Sequence, residues 1–209
     1  MGVTMSQYSV IHAADETLRS LIAGNLDTTS FQILNSNPIQ RISFQPPHQL
    51  MTDNVPTENN LSLFLYRVSE NSEVKNRLWE SQHGNRLHCP PLALNLFYII
   101  TPLMKDGDDD EATKNAHKLL GKVMQIFYDH PIIKGTNLKG ILQNTAEEIR
   151  IILNPISMED MMKLWSSFMR PYYLSVSYEV KVLYIDSERE IGAEQVRRKQ
   201  LQFTQKTGV

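Results

Sequence analysis

One stretch limits the folds open to this chain more than any other. Residues 172–186 read YYLSVSYEVKVLYID, with apolar or aromatic side chains at every second position: Tyr172, Leu174, Val176, Tyr178, Val180, Val182 and Tyr184. The row between them holds Tyr173, Ser175, Ser177, Glu179, Lys181, Leu183 and Ile185. A period of two sets one row on each side of a β-strand. The first row therefore needs a covering layer. At about 3.3 Å per residue the run would reach about 50 Å, against a usual strand of about 5–6 residues. The strand is expected to bend, or its end to leave the domain and reach elsewhere.

Two further runs are apolar on both faces. Residues 61–68, LSLFLYRV, and 92–103, LALNLFYIITPL, read as strands covered on both sides, with 61–68 central in its sheet. Pro90 and Pro91 preset an extended entry to the second. Alternation over 39–45, stopped by Pro46 and Pro47, predicts another strand. So does 147–153, with Ile149, Ile151 and Leu153 facing in, and residues 31–34 are a candidate short one. Helical spacing predicts helices over 8–23, 111–129 and 158–169. Ser157 and Asp160 form a capping box in which Asp takes the place of Glu or Gln. Segments 48–59 and 70–87 read as polar loops, and 132–144 as a glycine-containing connector. The order predicts an α/β (α+β) fold: a mixed sheet of about five strands packed by three helices, spanning residues 1–186. Residues 187–209 carry five basic residues and few large apolar ones, and read as an extended C-terminal arm.

Composition excludes several functions. The net charge of -2 over 209 residues gives no surplus of Lys and Arg for nucleic acid. Cys89 is the single cysteine, so no internal disulfide forms and a reducing compartment is expected. No apolar run reaches the roughly 18 residues of a membrane span, and no secretory signal pattern opens the chain. Met1-Gly2 with Ser6 fits the loose myristoylation signature, but so few fixed positions match often by chance, and a plain N-terminus before a helix is the better reading.

The motifs that would carry chemistry each fall short. His83, His88 and Cys89 lie close together, yet their spacing matches no zinc pattern and a fourth ligand is missing nearby. Asp106 to Glu111 is an acidic run, but the ligand order of an EF-hand is absent. Carboxylates before a helix complement its dipole. Lys134-Gly135-Thr136 lacks the preceding glycine of a phosphate loop, with His130 in its place. No GxSxG elbow or HExxH helix occurs. The chain is therefore expected to be no enzyme and to hold no cofactor or metal. The rivals are an enzyme with a site built from loop 70–87 and the acidic turn, and a monomeric interaction module.

The arm has two readings that the residues leave open. Residues 195–203 can add as a strand to a neighbour's sheet, with basic groups meeting acidic surface. They can equally form an unstructured tail. The candidate interface residues are Arg189, Val196, Arg197, Arg198, Lys199, Leu201 and Phe203.

A set of ordered words runs along the chain: LFLYRVSEN at 63–71, PPLALNLFY at 90–98, Thr101-Pro102, Leu120-Gly121, Asp129-His130-Pro131, EIRI at 148–151, Leu164-Trp165, Pro171-Tyr172, LSVSYEV at 174–180 and IDSE at 185–188. In this order and spacing they resemble the small cap, or tail-terminator, proteins of phage-tail-like contractile injection systems. The resemblance implies a ring, a homohexamer, on the end of the inner tube and sheath, with sheath and tube proteins as partners. It implies synthesis in a bacterial cytoplasm and a place in an assembled particle. Some relatives carry further C-terminal domains, which this chain is expected to lack.

Overall fold

The structure, a computed structural model, describes residues 8–26, 37–52, 55–56, 58, 60–75, 80–82, 86–105 and 110–192. The candidate strand at 31–34, the acidic run at 106–109 and the arm beyond Gly192 lie outside them. The elements run α1 (Val10–Asn25), α2 (Pro38–Arg41), β1 (Ile42–Ser43), β2 (Met51–Thr52), β3 (Val55–Pro56), β4 (Asn60–Glu70), β5 (Glu80–Gln82), β6 (Arg86–His88) and β7 (Leu92–Leu103). They continue α3 (Asp110–Asp129), β8 (Ile132–Lys134), β9 (Glu148–Leu153), α4 (Met158–Ser167), β10 (Val176–Ile185) and β11 (Glu190–Gly192).

The main sheet has six strands in the order β1-β4-β7-β10-β9-β8. Only β1 on β4 is parallel, so the sheet is mixed as expected. β7 forms where the longest two-sided apolar run predicts it. Its even-numbered side chains, Leu94, Leu96, Tyr98 and Ile100, join one core with Leu61, Leu63, Ile149, Tyr178 and Val180. Helices α1 and α3 cover that face with Val10, Ala14, Leu18, Ile22, Leu119, Val123 and Phe127. On the other face Ile99 and Leu103 meet Met51, Met161 and Trp165 of a smaller core. Burying each such aliphatic side chain favours folding by about 1.5–3 kcal/mol.

The helices start where local chemistry favours it. The Oγ of Ser157 accepts the Asp160 N–H at 3.1 Å, so the N-cap forms, while the Asp160 carboxylate accepts the Ser157 hydroxyl at 2.8 Å in place of the Ser157 N–H of a full capping box. Asp110 and Glu111 occupy the first turn of α3, at the positive end of its dipole.

Five expectations are corrected. The run at 172–186 is not strand from its start and does not alternate unbroken: β10 begins at Val176, and its register slips between Lys181 and Leu183, which is the bend expected from its length. A bulge there takes up one extra residue and bends the strand. Leu183 thereby turns to the inner face, where it is 1% exposed, although straight alternation puts it outside. Tyr172 and Tyr173 instead ring Trp165, at 6.0 and 5.7 Å between centroids. β4 is not covered along both edges, because β1 pairs only with Leu61 and Ser62 before Pro46 and Pro47 turn the chain away. Residues 38–41 are helical, since Pro38 sits in the first helical turn with its φ preset. The presumed loop 70–87 contains the hairpin β5–β6, and β11 pairs with β6 on its other side. The presumed connector after α3 opens with β8, too short for any periodicity to reveal.

Two buried polar ties hold α1 in place. Thr17 donates to the Ala13 carbonyl at 2.7 Å, and its Oγ1 accepts the Lys139 N–H at 2.9 Å. Gly140 follows with φ +59°, and an added Cβ would stand 3.2 Å from Ala13 Cβ, so this approach requires glycine. Tyr98, fully enclosed on β7, donates to the Asp15 carboxylate at 2.6 Å. Burial raises the Asp15 carboxyl above its ordinary 3.8, more than the Tyr98 hydrogen bond lowers it.

Replacing Thr17 by Val keeps the volume but leaves the buried Lys139 N–H unpaired, and is expected to cost about 1–3 kcal/mol. Urea unfolding measures this, and an unchanged midpoint would contradict it. The folded chain holds the Asp15 proton more tightly than the unfolded chain does. That contribution is complete below pH 3.8 and is lost as pH rises through the raised value. Asp15→Asn keeps an acceptor for Tyr98 and has no proton to lose. Its stability is expected to fall less than wild type from acid to neutral pH, and parallel pH profiles would refute the assignment.

Candidate protein interface

The described surface offers three places where the fold leaves groups exposed that it would otherwise cover. The first is the edge of β4. From Leu63 to Glu70 this edge has no strand partner among the described residues. Its register slips between Leu65 and Arg67, and Val68 is 44% exposed. A bulge and a charge on an edge discourage indiscriminate pairing while leaving the strand open to a specific one.

The second is the part of the sheet that α4 does not reach. Beyond Ile99 the odd-numbered side chains of β7 are Phe97 and Asn95, and the face turns polar. Asn71 donates to Asn95 at 3.0 Å, and Asn95 donates to Glu179 at 2.9 Å. Lys181 lies 3.8 Å from the Glu179 carboxylate. The Arg67 guanidinium lies over the Phe97 ring, 4.9 Å from its centroid. On β9, Arg150 Nε donates to Glu148 at 2.7 Å. At the border of α4, Tyr66, Asn154 and Ser177 form a hydrogen-bonded triad with distances of 3.0 to 3.3 Å. These side chains satisfy one another and so form an ordered polar plate, suited to the rim of an interface.

The third is an open apolar groove of about 800 Å³ between the last turns of α3 and strands β9 and β10. Met124, Phe127, Tyr128, Ile151, Leu153 and Tyr178 line it, with Asp129 at the helix end. Tyr128 is 85% exposed and Leu153 49%, so apolar surface stands open to water. Burial raises the Tyr178 phenol above its usual range and keeps it neutral.

The arm residues named from the sequence fare differently. Arg189 is described: its carbonyl accepts the Cys89 N–H at 3.2 Å, which leads into the pairing of β11 with β6. Val196, Arg197, Arg198, Lys199, Leu201 and Phe203 lie outside the described residues. Among the described residues no group of three or more His, Cys, Asp and Glu side chains could hold a metal. No described helix is long and apolar enough to cross a membrane. Sequence reasoning missed the groove. Its signals were Tyr128, an aromatic off the apolar stripe of α3, and Leu153, whose alternation pointed inward past the end of the covering helix.

Comparison with known proteins places this surface in context. None of the curated proteins matches the chain in sequence. Its fold is similar to that of the sheath/tube terminator of an extracellular contractile injection system, PVC, in the extended state, with a TM-score of 0.59 and 17% identity over 98% of this chain. It is also similar to the tube-terminating cap of the anti-feeding prophage, with a TM-score of 0.55 and 17% identity over 96% of this chain. The chain spans 66% of the first protein's length and 62% of the second's. At this identity the likeness establishes a shared α+β fold. Residues 13–199 match the family model of the Pvc16 N-terminal domain, and the chain belongs to that family.

Proposed function

We propose that this chain is a structural terminator. Copies close a ring on the end of the inner tube and sheath of a contractile injection particle, and the ring stops tube growth and holds the sheath end. The observation that carries this reading is the family match over residues 13–199, and the shared fold with a sheath/tube terminator and a tube-terminating cap supports it. Six copies is the stoichiometry that the cap resemblance implies. The protein is made in a bacterial cytoplasm, works as part of the particle, and transforms no molecule.

The physical requirements of such a part are a rigid body and several surfaces for neighbours. Two cores on either side of one sheet provide the rigidity. The open edge of β4, the polar plate and the apolar groove provide surfaces of three distinct chemistries. A ring needs one patch to meet a different patch on the next copy, with a rotation that closes. The arm beyond Gly192 reaches across to a subunit of the ring or sheath and adds a strand there. Backbone pairing supplies affinity, Leu201 and Phe203 fill pockets, and Arg197, Arg198 and Lys199 orient the approach.

Electron microscopy of sheathed particles assembled without this chain and then supplied with it tests the reading. The wild-type protein is expected to appear as a ring at one particle end. Leu201→Asp with Phe203→Asp is expected to lower end occupancy at least ten-fold while the protein stays folded by circular dichroism. A chain that remains monomeric beside the particles, or binds along their whole length, would overturn the proposal.

A further inference from the structure

We propose that the apolar groove at the end of α3 seats residues 197–203 of a neighbouring copy, with Leu201 and Phe203 as the anchors. The inference rests on the ring reading and names the contact that joins one copy to the next. The groove, at about 800 Å³, falls in the roughly 300–1,000 Å³ range of pockets that bury a ligand. Phe127, Ile151 and Tyr178 form its floor, and Tyr128 and Leu153 stand exposed at its walls.

The charges around the groove select a basic occupant. Helix α3 ends here, and the carbonyls of a helix end carry partial negative charge. Its last turn holds no basic residue, and Asp129 makes no ion pair with any described residue. The chain itself carries the complementary chemistry. Past Gly192 it has Arg197, Arg198, Lys199 and Lys206 against one acidic residue, Glu194. Leu201 and Phe203 are two residues apart, so an extended backbone projects both to one side. The three consecutive basic residues sit just before them, within reach of Asp129 when the anchors are seated.

The root of the arm and the groove lie at different places on the sheet. β11 leaves from the end of the sheet where Ile185 pairs with Leu92, whereas the groove lies by Tyr178, which pairs with Tyr98 and Leu153. Seven residues of β10 separate the two places, about 23 Å at strand spacing. From Gly192 to Phe203 an extended chain reaches about 36 Å, which exceeds this span, so the ring reading, and not reach, assigns the groove to the next copy. An arm of one copy in the groove of the next is a head-to-tail contact, the kind that closes rings.

Mixing two cysteine variants tests this, both carrying Cys89→Ser. One has Leu153→Cys, and the other has Phe203→Cys and a size tag. Oxidation is expected to link the two different chains, with at least ten-fold less product when Lys163→Cys on α4 replaces Leu153→Cys. No linked product, or a bond formed only within one chain when both cysteines share it, overturns the inference. Leu153→Asp adds a check on particles: if rings persist, the groove contact is refuted and the ring reading stands. If the wild-type chain forms no ring on particles, the ring reading fails by itself, and the cross-link still decides the groove.

Discussion

Everything in this fold depends on β7 being apolar on both sides. A strand with water-averse residues in both rows must be covered on both faces. β4 and β10 take the edges, α1 and α3 take the even-numbered face, and α4 takes part of the other. The odd-numbered row also marks where cover ends. Ile99, Thr101 and Leu103 are buried on that face, whereas Asn95 and Phe97 are half-buried and begin the polar plate. The boundary between core and interface is thus written along one strand, and Tyr66, Asn154 and Ser177 close the seam with hydrogen bonds.

The same economy explains why the surface is rich in unfinished contacts. Helix α4 is short and caps one end of its face. β1 protects two residues of β4 and no more. Helix α3 stops beside β9 and leaves Tyr128 and Leu153 in water. An isolated monomer gains nothing from these exposures. In an assembly, each is an area whose burial is deferred until a neighbour arrives. A body held by two cores, with such areas left open, is compatible with the proposed role of a terminator.

Much of the fold was legible in the residues, and the failures have physical causes. β7 was readable to its last residue because both rows and the flanking prolines agreed. The N-cap at Ser157 was readable because it is local chemistry. The bulge at Lys181–Leu183 was not, because the residues go on alternating through it, while the inserted residue shifts the register with the partner strand and the face on which Leu183 stands. The hairpin β5–β6 and strand β8 were hidden for a different reason: three-residue strands carry no period. β4 does lie between β1 and β7, but β1 pairs with only two of its residues, and this was not readable because two-sided apolarity reports burial, not the length of a neighbour. The groove was the hardest to see, since it arises where helix and sheet fail to meet. Single residues do not announce such a gap. The cap family was readable from ordered words that agree with the family match, whereas the residues that face each partner were not.

The proposed role of this chain is to mark the end of a growing tube. The length distribution of inner tubes, measured in cells producing the particle with and without this chain, tests it most directly. Tubes of one length with it, and of broad and longer lengths without it, are the predicted result. Identical distributions in the two cases would contradict the claim.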